Sequence, residues 1–286
     1  MKSLLMGAVA AALVVVAPAA GRLDRAGSGG EIVFQGKGPH GTAIYLVGAD
    51  GSGFRRIAAK GAFSGEPAWS PDGRRIAFSS SRSGEGSLSI YLMDASGAAP
   101  MRLTFDPGDD HDPSFSPNGR QIAYAGTGIN LMFEDGSIVR RITGELPLRS
   151  PTWSPNGQHI AFASGPNERL AQPQIYSVHA NGTLLRQLTN LRGGAAQPAW
   201  SPGGRWVAFV GGRSDLYLRR SDGRVRRLVS SAAPVSAPAW SPDGKTIVFA
   251  RGKRSMSLYT IPAAGGQPHL LVSVPGVSLD QPDWTS

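Results

Sequence analysis

The sequence predicts an all-β fold, a six-bladed β-propeller of four-stranded blades closed by pairing the C-terminal strand with the N-terminal blade. Three observations predict it: a short phrase repeated six times, strand-type runs between the copies, and ends that complete each other. The phrase is Pro-x-Trp-Ser-Pro-Asp-Gly with small variations. It runs from Pro67 to Gly73, returns from Pro113 to Gly119 with Phe115 as its aromatic, and recurs around Trp153, Trp200 and Trp240. The chain stops inside a sixth copy, Gln281 to Ser286. The leading prolines stand at 67, 113, 151, 198, 238 and 282, so the steps are 46, 38, 47, 40 and 44 residues. A period near 40–45 residues with strand content marks a radial β array.

Residues 1–20 read as a signal peptide. Lys2 supplies the positive start, Leu4 to Val16 the apolar run, and Ala17-Pro18-Ala19 a small-residue cleavage motif. Residues 21–30 read as a polar, glycine-rich linker, and residues 31–286 as the propeller. The first repeat begins at Ile32-Val33-Phe34 and lacks its leading strand, which the terminal Pro282 to Thr285 supplies. Closure of this kind removes exposed strand edges.

Each phrase is followed by the same three strands. The first is short and apolar: Ile76-Ala77-Phe78, Ile122-Ala123-Tyr124, Ile160-Ala161-Phe162, Val207-Ala208-Phe209, Ile247-Val248-Phe249. The next carries Ile90-Tyr91-Leu92, Ile129-Asn130-Leu131, Ile175-Tyr176-Ser177, Leu216-Tyr217-Leu218 and Leu258-Tyr259-Thr260. The last alternates basic and apolar residues: Met101 to Thr104, Val139 to Thr143, Leu185 to Thr189, Val225 to Val229. β-branched and aromatic runs bounded by Gly, Pro and Asp are strands. In Ser-Pro-Asp-Gly the proline presets φ and the glycine takes the left-handed position. Asp50-Gly51, Asp135-Gly136, Asn181-Gly182 and Asp222-Gly223 mark the outer hairpins. The repeated Trp or Phe reads as a wedge between adjacent sheets.

The formal charge is +9 and there is no cysteine. The missing thiols exclude a disulfide framework, a lipid-bearing cysteine and thiolate chemistry. Much of the positive excess sits in the outermost strands, in Arg55-Arg56, Arg140-Arg141 and Arg226-Arg227. Charged outer edges discourage edge-to-edge pairing; attraction to an anionic envelope polymer or acidic protein is the functional alternative. No nucleic-acid motif is present.

Propeller geometry puts the Ser-Pro-Asp-Gly turns and outer hairpins on one face, the turn face, and the lead-in loops of each phrase on the other, the mouth face. The residues before the prolines are Glu66, Asp112, Ser150, Gln197, Ala237 and Gln281. Asp109-Asp110-His111-Asp112 is the densest polar cluster, and Asp280 adds a carboxylate. Glu66, Asp109, Asp110, His111, Asp112, Gln197, Asp280 and Gln281 are the candidate partner-binding residues. A basic rim of Arg82, Arg169, Arg213, Arg251, Lys253 and Arg254 surrounds them, with Lys37 and His40. An acidic mouth inside a basic rim suits a peptide or polar ligand; a solvated loop holding an Asx turn is the structural alternative. Glu66, His111, Asp112 and Asp280 also offer oxygen and imidazole ligands, but no spacing specifies a metal site. No G-x-S-x-G, H-E-x-x-H or phosphate-cradling loop occurs. No catalytic residue, metal or cofactor is assigned.

The run Trp69-Ser70-Pro71-Asp72-Gly73 through Ile76-Ala77-Phe78 resembles the TolB-type propeller repeat, and the resemblance covers nearly all of the chain after the leader. It implies a six-bladed propeller closed by strand exchange, and a periplasmic scaffold that binds a peptidoglycan-associated lipoprotein. TolB itself carries an α/β domain before the propeller; here only Arg22 to Gly30 separates leader and first blade. Similar repeats form the propeller of prolyl-oligopeptidase-type peptidases, whose hydrolase domain is not expected here. The expected protein is a monomeric, exported, non-enzymatic scaffold, periplasmic or secreted, without a membrane span once the leader is removed. Its expected partner is an envelope protein or peptide, or an anionic envelope polymer, and not a nucleic acid. The alternative is a small metal-assisted lyase or hydrolase acting on an envelope sugar or lactone at the channel mouth.

Overall fold

The computed structural model describes residues 30–58, 63–137, 139–145, 147–165, 172–212 and 214–285. The expected signal peptide, residues 1–20, and residues 21–29 of the expected linker lie outside the described residues. The described residues form twenty-four strands in six antiparallel four-stranded sheets. None of their elements is a helix long and apolar enough to cross a membrane.

The first blade is the closing one. Its innermost strand is the last of the chain, Ser278–Trp284, which pairs with Glu31–Gly38; Gly41–Gly48 and Arg55–Ala58 lie outside it. Ile32 stands opposite Trp284 and Lys37 opposite Ser278. The inner strands of the second to sixth blades are Ser64–Trp69, His111–Phe115, Leu148–Trp153, Ala195–Trp200 and Val235–Trp240, each containing its phrase's proline.

The turn after each inner strand follows from its residues. Ser70 Oγ donates to Asp72 Oδ1 at 2.6 Å and accepts the Arg75 amide at 2.9 Å, while the Arg74 amide reaches Asp72 Oδ1 at 3.1 Å. The Ser70 hydroxyl and Arg74 amide hold the Asp72 carboxyl below its ordinary range. Gly73 sits at φ 67°, which its missing Cβ allows. Ser116 with Asn118, Ser154 with Asn156 and Ser241 with Asp243 repeat the arrangement.

The core lies between the blades. Trp69 is 6% exposed and packs with Val33, Ile44 and Leu46 of the first blade against Ile76, Phe78 and Tyr91 of the second. Burying a side chain of this size contributes about 4–6 kcal/mol. Trp153, Trp240, Trp284 and Phe115 wedge equivalently, whereas Trp200 stays half-buried.

Val225–Val229 forms as the sequence suggests, but three other outermost strands are shorter. Met101–Arg102, Arg140–Arg141 and Arg186–Gln187 pair over two residues each. Beyond that point a threonine hydroxyl replaces the ladder carbonyl: Thr104, Thr143 and Thr189 accept the amides of Ile90, Ile129 and Ile175 at 3.0, 2.8 and 2.8 Å. The side chain satisfies the inner strand's donor and lets the outer strand leave the sheet early.

Candidate functional site

Every inner strand slips register at its phrase's proline, and the residue before that proline adopts a left-handed conformation. Glu66, Asp112, Ser150, Gln197, Ala237 and Gln281 have φ between 44° and 54°. In the second blade, for example, Gly65 faces Ser79 and the next pair is Ala68 with Ala77. A non-glycine residue there costs of order 1–3 kcal/mol, so surrounding structure must hold it. The proline prevents an ordinary helical turn at this position, and the bulge turns the preceding residue's amide out of its own sheet.

Side chains of neighbouring strands capture those amides. Gln35 Oε1 accepts the Glu66 amide at 3.0 Å, Glu66 Oε2 that of Asp112 at 2.9 Å, and Asp112 Oδ2 that of Ser150 at 2.9 Å. Gln197 Oε1 accepts the Ala237 amide at 2.9 Å. Asp280 Oδ1 accepts the amide of its neighbour Gln281 at 2.8 Å and the Ser236 hydroxyl, from the sixth blade, at 2.7 Å. Five of the six candidate bulge amides are thus held by Gln35, Glu66, Asp112, Gln197 and Asp280. The structure places four of the sequence-predicted residues, Glu66, Asp112, Gln197 and Asp280, as latches between blades.

The latches also set the charge state of the cluster. Burial and the Asp112 charge raise the Glu66 carboxyl above its ordinary pKa. Burial alone would raise Asp112 too, but the hydrogen bond and charge of His111, the Ser150 amide and Arg149 together hold it below. Burial pulls His111 down, yet Asp112 and Glu66 outweigh it and raise the imidazole. His111 Nδ1 lies 3.3 Å from Asp112 Oδ2, and Arg149 Nη1 lies 3.4 Å from His111 Nε2.

Glu66, His111 and Asp112 each bring one ligand atom within 4.8 Å of the others. The donor set fits a cation poorly. Glu66 Oε2 already accepts the Ser79 hydroxyl at 2.7 Å as well as the Asp112 amide, and the Arg149 guanidinium lies against the imidazole.

Asp109 and Asp110 differ from the latches. Asp109 is exposed and its Oδ1 accepts the Leu88 amide at 2.8 Å. Asp110 is buried, 8% exposed, and its Oδ2 makes no hydrogen bond among the described residues. It lines a cleft of about 320 Å³ on the mouth face, with Asp106, Asp109, Tyr124, Gly126, Asn130 and Arg149 among its walls. Burial, with the charges of Asp106 and Asp109 adding, pushes the Asp110 carboxyl up to about 6.

An omitted ring opens this cleft. In the other five blades a tyrosine stacks on the neighbouring strand's phenylalanine, as in Phe34–Tyr45 and Phe78–Tyr91. The third blade has Asn130 at that position, opposite Tyr124. Gly126 adds room, since a Cβ there would meet Asp110 Oδ1 at 2.6 Å and Asn130 Nδ2 at 3.2 Å.

The basic rim is not one surface. Arg82 is half-buried, with its guanidinium 4.9 Å from the Phe78 ring centre and 5.1 Å from that of Tyr91. Arg251 covers Tyr259 at 5.5 Å. Lys253, Arg254, Lys37 and His40 are exposed, while Arg169 and Arg213 lie outside the described residues. The half-buried Gln281 lines the central channel.

That channel encloses about 450 Å³ between the six inner strands. It holds a group that the sequence reading passed over, Asp283, whose Oδ2 accepts the Trp69 amide at 2.7 Å across the closure. Desolvation inside the ring pushes its carboxyl up to about 6. A signal was present: the middle position of the phrase is Ala68, Ser114, Thr152, Ala199 and Ala239 elsewhere, and carries a carboxylate only at Asp283.

No curated protein sequence matches the chain. Among solved structures, TolB from Acinetobacter baumannii is 23% identical, with a TM-score of 0.78 over 90% of this chain and 66% of that one. The putative TolB from Agrobacterium tumefaciens is 20% identical, with a TM-score of 0.70 over 91% of this chain and 100% of that one. An oligogalacturonate lyase in complex with manganese is 14% identical, with a TM-score of 0.56 over 85% and 73%. These likenesses show the fold, and this chain spans just under two thirds of the length of the A. baumannii protein. The profile of the TolB beta propeller domain matches residues 26–204, more than half of the sequence. The chain belongs to the TolB beta propeller domain family.

Proposed function

We propose that this chain is an exported, non-enzymatic scaffold of the cell envelope that binds a protein or peptide on its mouth face. The TolB-like propeller fold supports a protein-binding scaffold in general. The observation that carries the finer reading is the Asp110 carboxylate, buried without a hydrogen bond to Oδ2 in the mouth-face cleft. A basic side chain of the partner would enter beside Asp110 and Asp109 and supply the missing donor. Glu66, Asp112, Gln197 and Asp280 would hold the rim of the mouth in shape rather than touch the partner.

Crosslinking and mass spectrometry on the native cells test this reading. The expected result is one dominant envelope protein, trapped through the loops around Asp106 to Asp110 and lost on Asp110→Asn. Trapping that survives Asp110→Asn would sink the assignment of the cleft.

A metal-assisted lyase or hydrolase is the second reading, favoured by the proximity of Glu66, His111 and Asp112 and by the likeness to a lyase structure containing manganese. It requires that Mn²⁺ or Ca²⁺ raise the unfolding midpoint, because a bound ion stabilises the fold. The occupied carboxylates and the Arg149 guanidinium argue for no shift.

A further inference from the structure

Each boundary between blades is filled by a pair of side chains from the third strands. Successive residues of a strand point to opposite faces, so one member faces the next blade and the following residue faces the preceding blade. Leu46 meets Met93, Leu92 meets Met132, Leu131 meets Val178, and Leu218 meets Ile261, each pair within one apolar cluster. At the closing boundary Val47 packs in the apolar cluster and Thr260 takes the leucine's place. Between the fourth and fifth blades both members change: the leucine position is Ser177 and the partner position is Arg219.

That double replacement leaves a cleft of about 700 Å³ which opens on the turn face, away from the mouth. It also explains why Trp200 is half-buried while Trp69, Trp153, Trp240 and Trp284 are 6–8% exposed. Arg219 is 8% exposed. Its Nε donates to the Leu188 carbonyl at 2.7 Å and its Nη1 to the Arg220 carbonyl at 3.1 Å; Nη2 makes no hydrogen bond among the described residues. Arg186 and Arg205 line the same cleft, and among the described residues no carboxylate does. A buried guanidinium without a carboxylate is costly, and its planar fork matches carboxylate and phosphate oxygens. Leu188, Trp200 and Val207 form the apolar part of the lining, with Leu184 and Leu185, 74% and 64% exposed, at the lip; Ser154, Asn156, His159, Ser177 and Ser221 supply the polar part.

We propose that the cleft between the fourth and fifth blades binds a small amphipathic anion, a carboxylate or phosphate head on a short apolar body. The head sits on Arg219, with Arg186 and Arg205 adding charge, and the body lies against Leu185, Leu188 and Trp200. The site is separate from the mouth face and independent of the partner proposed there.

Calorimetric titration of the full chain tests it with octanoate, octyl phosphate, octanol, octylammonium and inorganic phosphate. Octanoate or octyl phosphate binds at least about tenfold more tightly than octanol, octylammonium or inorganic phosphate, and the stronger of the two identifies the head group. Ser177→Leu and Arg219→Met each restore the residue that the same position carries at other boundaries, leucine at 46, 92, 131 and 218 and methionine at 93 and 132. Both keep an unfolding midpoint at or above that of the parent and lose at least about tenfold in affinity. Arg219→Gln provides the same loss while keeping a polar group, should Arg219→Met not fold. Equal binding of octanol and octanoate, binding of inorganic phosphate as tight as octyl phosphate, unchanged affinity in Ser177→Leu, or no binding of any anion overturns the proposal.

Discussion

Asp112→Ala separates a structural latch from a binding residue. The side chain it removes accepts the Ser150 amide at 2.9 Å, with the Ser150 hydroxyl at 3.5 Å, and pairs with His111. A buried amide left without an acceptor costs about 1–3 kcal/mol, with charged acceptors at the upper end. Ser150 also loses the contact that holds its left-handed backbone at φ 52°, a conformation that itself costs of order 1–3 kcal/mol. The expected loss is therefore about 2–4 kcal/mol. For a domain of this size each kcal/mol moves the midpoint by about 2–4 °C, so Asp112→Ala melts roughly 4–16 °C lower. Asp112→Asn keeps an acceptor oxygen and loses only charge assistance, for about 1 kcal/mol. Thermal unfolding followed by circular dichroism measures both. If Asp112→Ala melts with the parent, or Asn costs as much as Ala, the latch does not hold the bulge. Crosslinking of the partner should survive Asp112→Asn and fail in Asp110→Asn.

The pH dependence follows from Asp110, whose folded pKa of about 6 exceeds its ordinary value of 3.8. Below the unfolded pKa both states are protonated and its contribution to stability is fully present. It is lost as pH rises from the unfolded value through the folded one, where only the unfolded state ionises freely. Asp110→Asn should therefore stabilise the fold at pH 7, with a gap over the parent that closes toward pH 4; a gap that widens on acidification would falsify the assignment. Binding of a cationic partner should weaken below about pH 6, as Asp110 takes up a proton. Trp284→Ala, in the closing boundary with Ile32, Phe34 and Val248, should cost about 3–5 kcal/mol in urea unfolding. Trp200→Ala, beside the open cleft, should cost clearly less, and equal losses would contradict the packing difference between the two boundaries.

The repeated phrase by itself determined the blades, the turn chemistry and the closure. Those features rest on local backbone preferences and on a period that recurs along the chain. The serine and aspartate of Ser70-Pro71-Asp72-Gly73 bond within five residues of each other, so their role is legible in a single copy. The acidic residues of the mouth were legible as a cluster, but their division of labour was not. Asp112 is a latch because an amide 38 residues onward is turned toward it, and Glu66 because of one 46 residues onward. Asp110, two positions before Asp112, keeps an oxygen unpaired because Asn130 and Gly126 leave space that tyrosine rings fill in the other blades. The cleft beside Arg219 arises in the same way, from two residues on different blades that only the closed ring places face to face. Local pattern determined the repeating scaffold; the tertiary structure decided the sites, because each depends on what the neighbouring blade presents or omits.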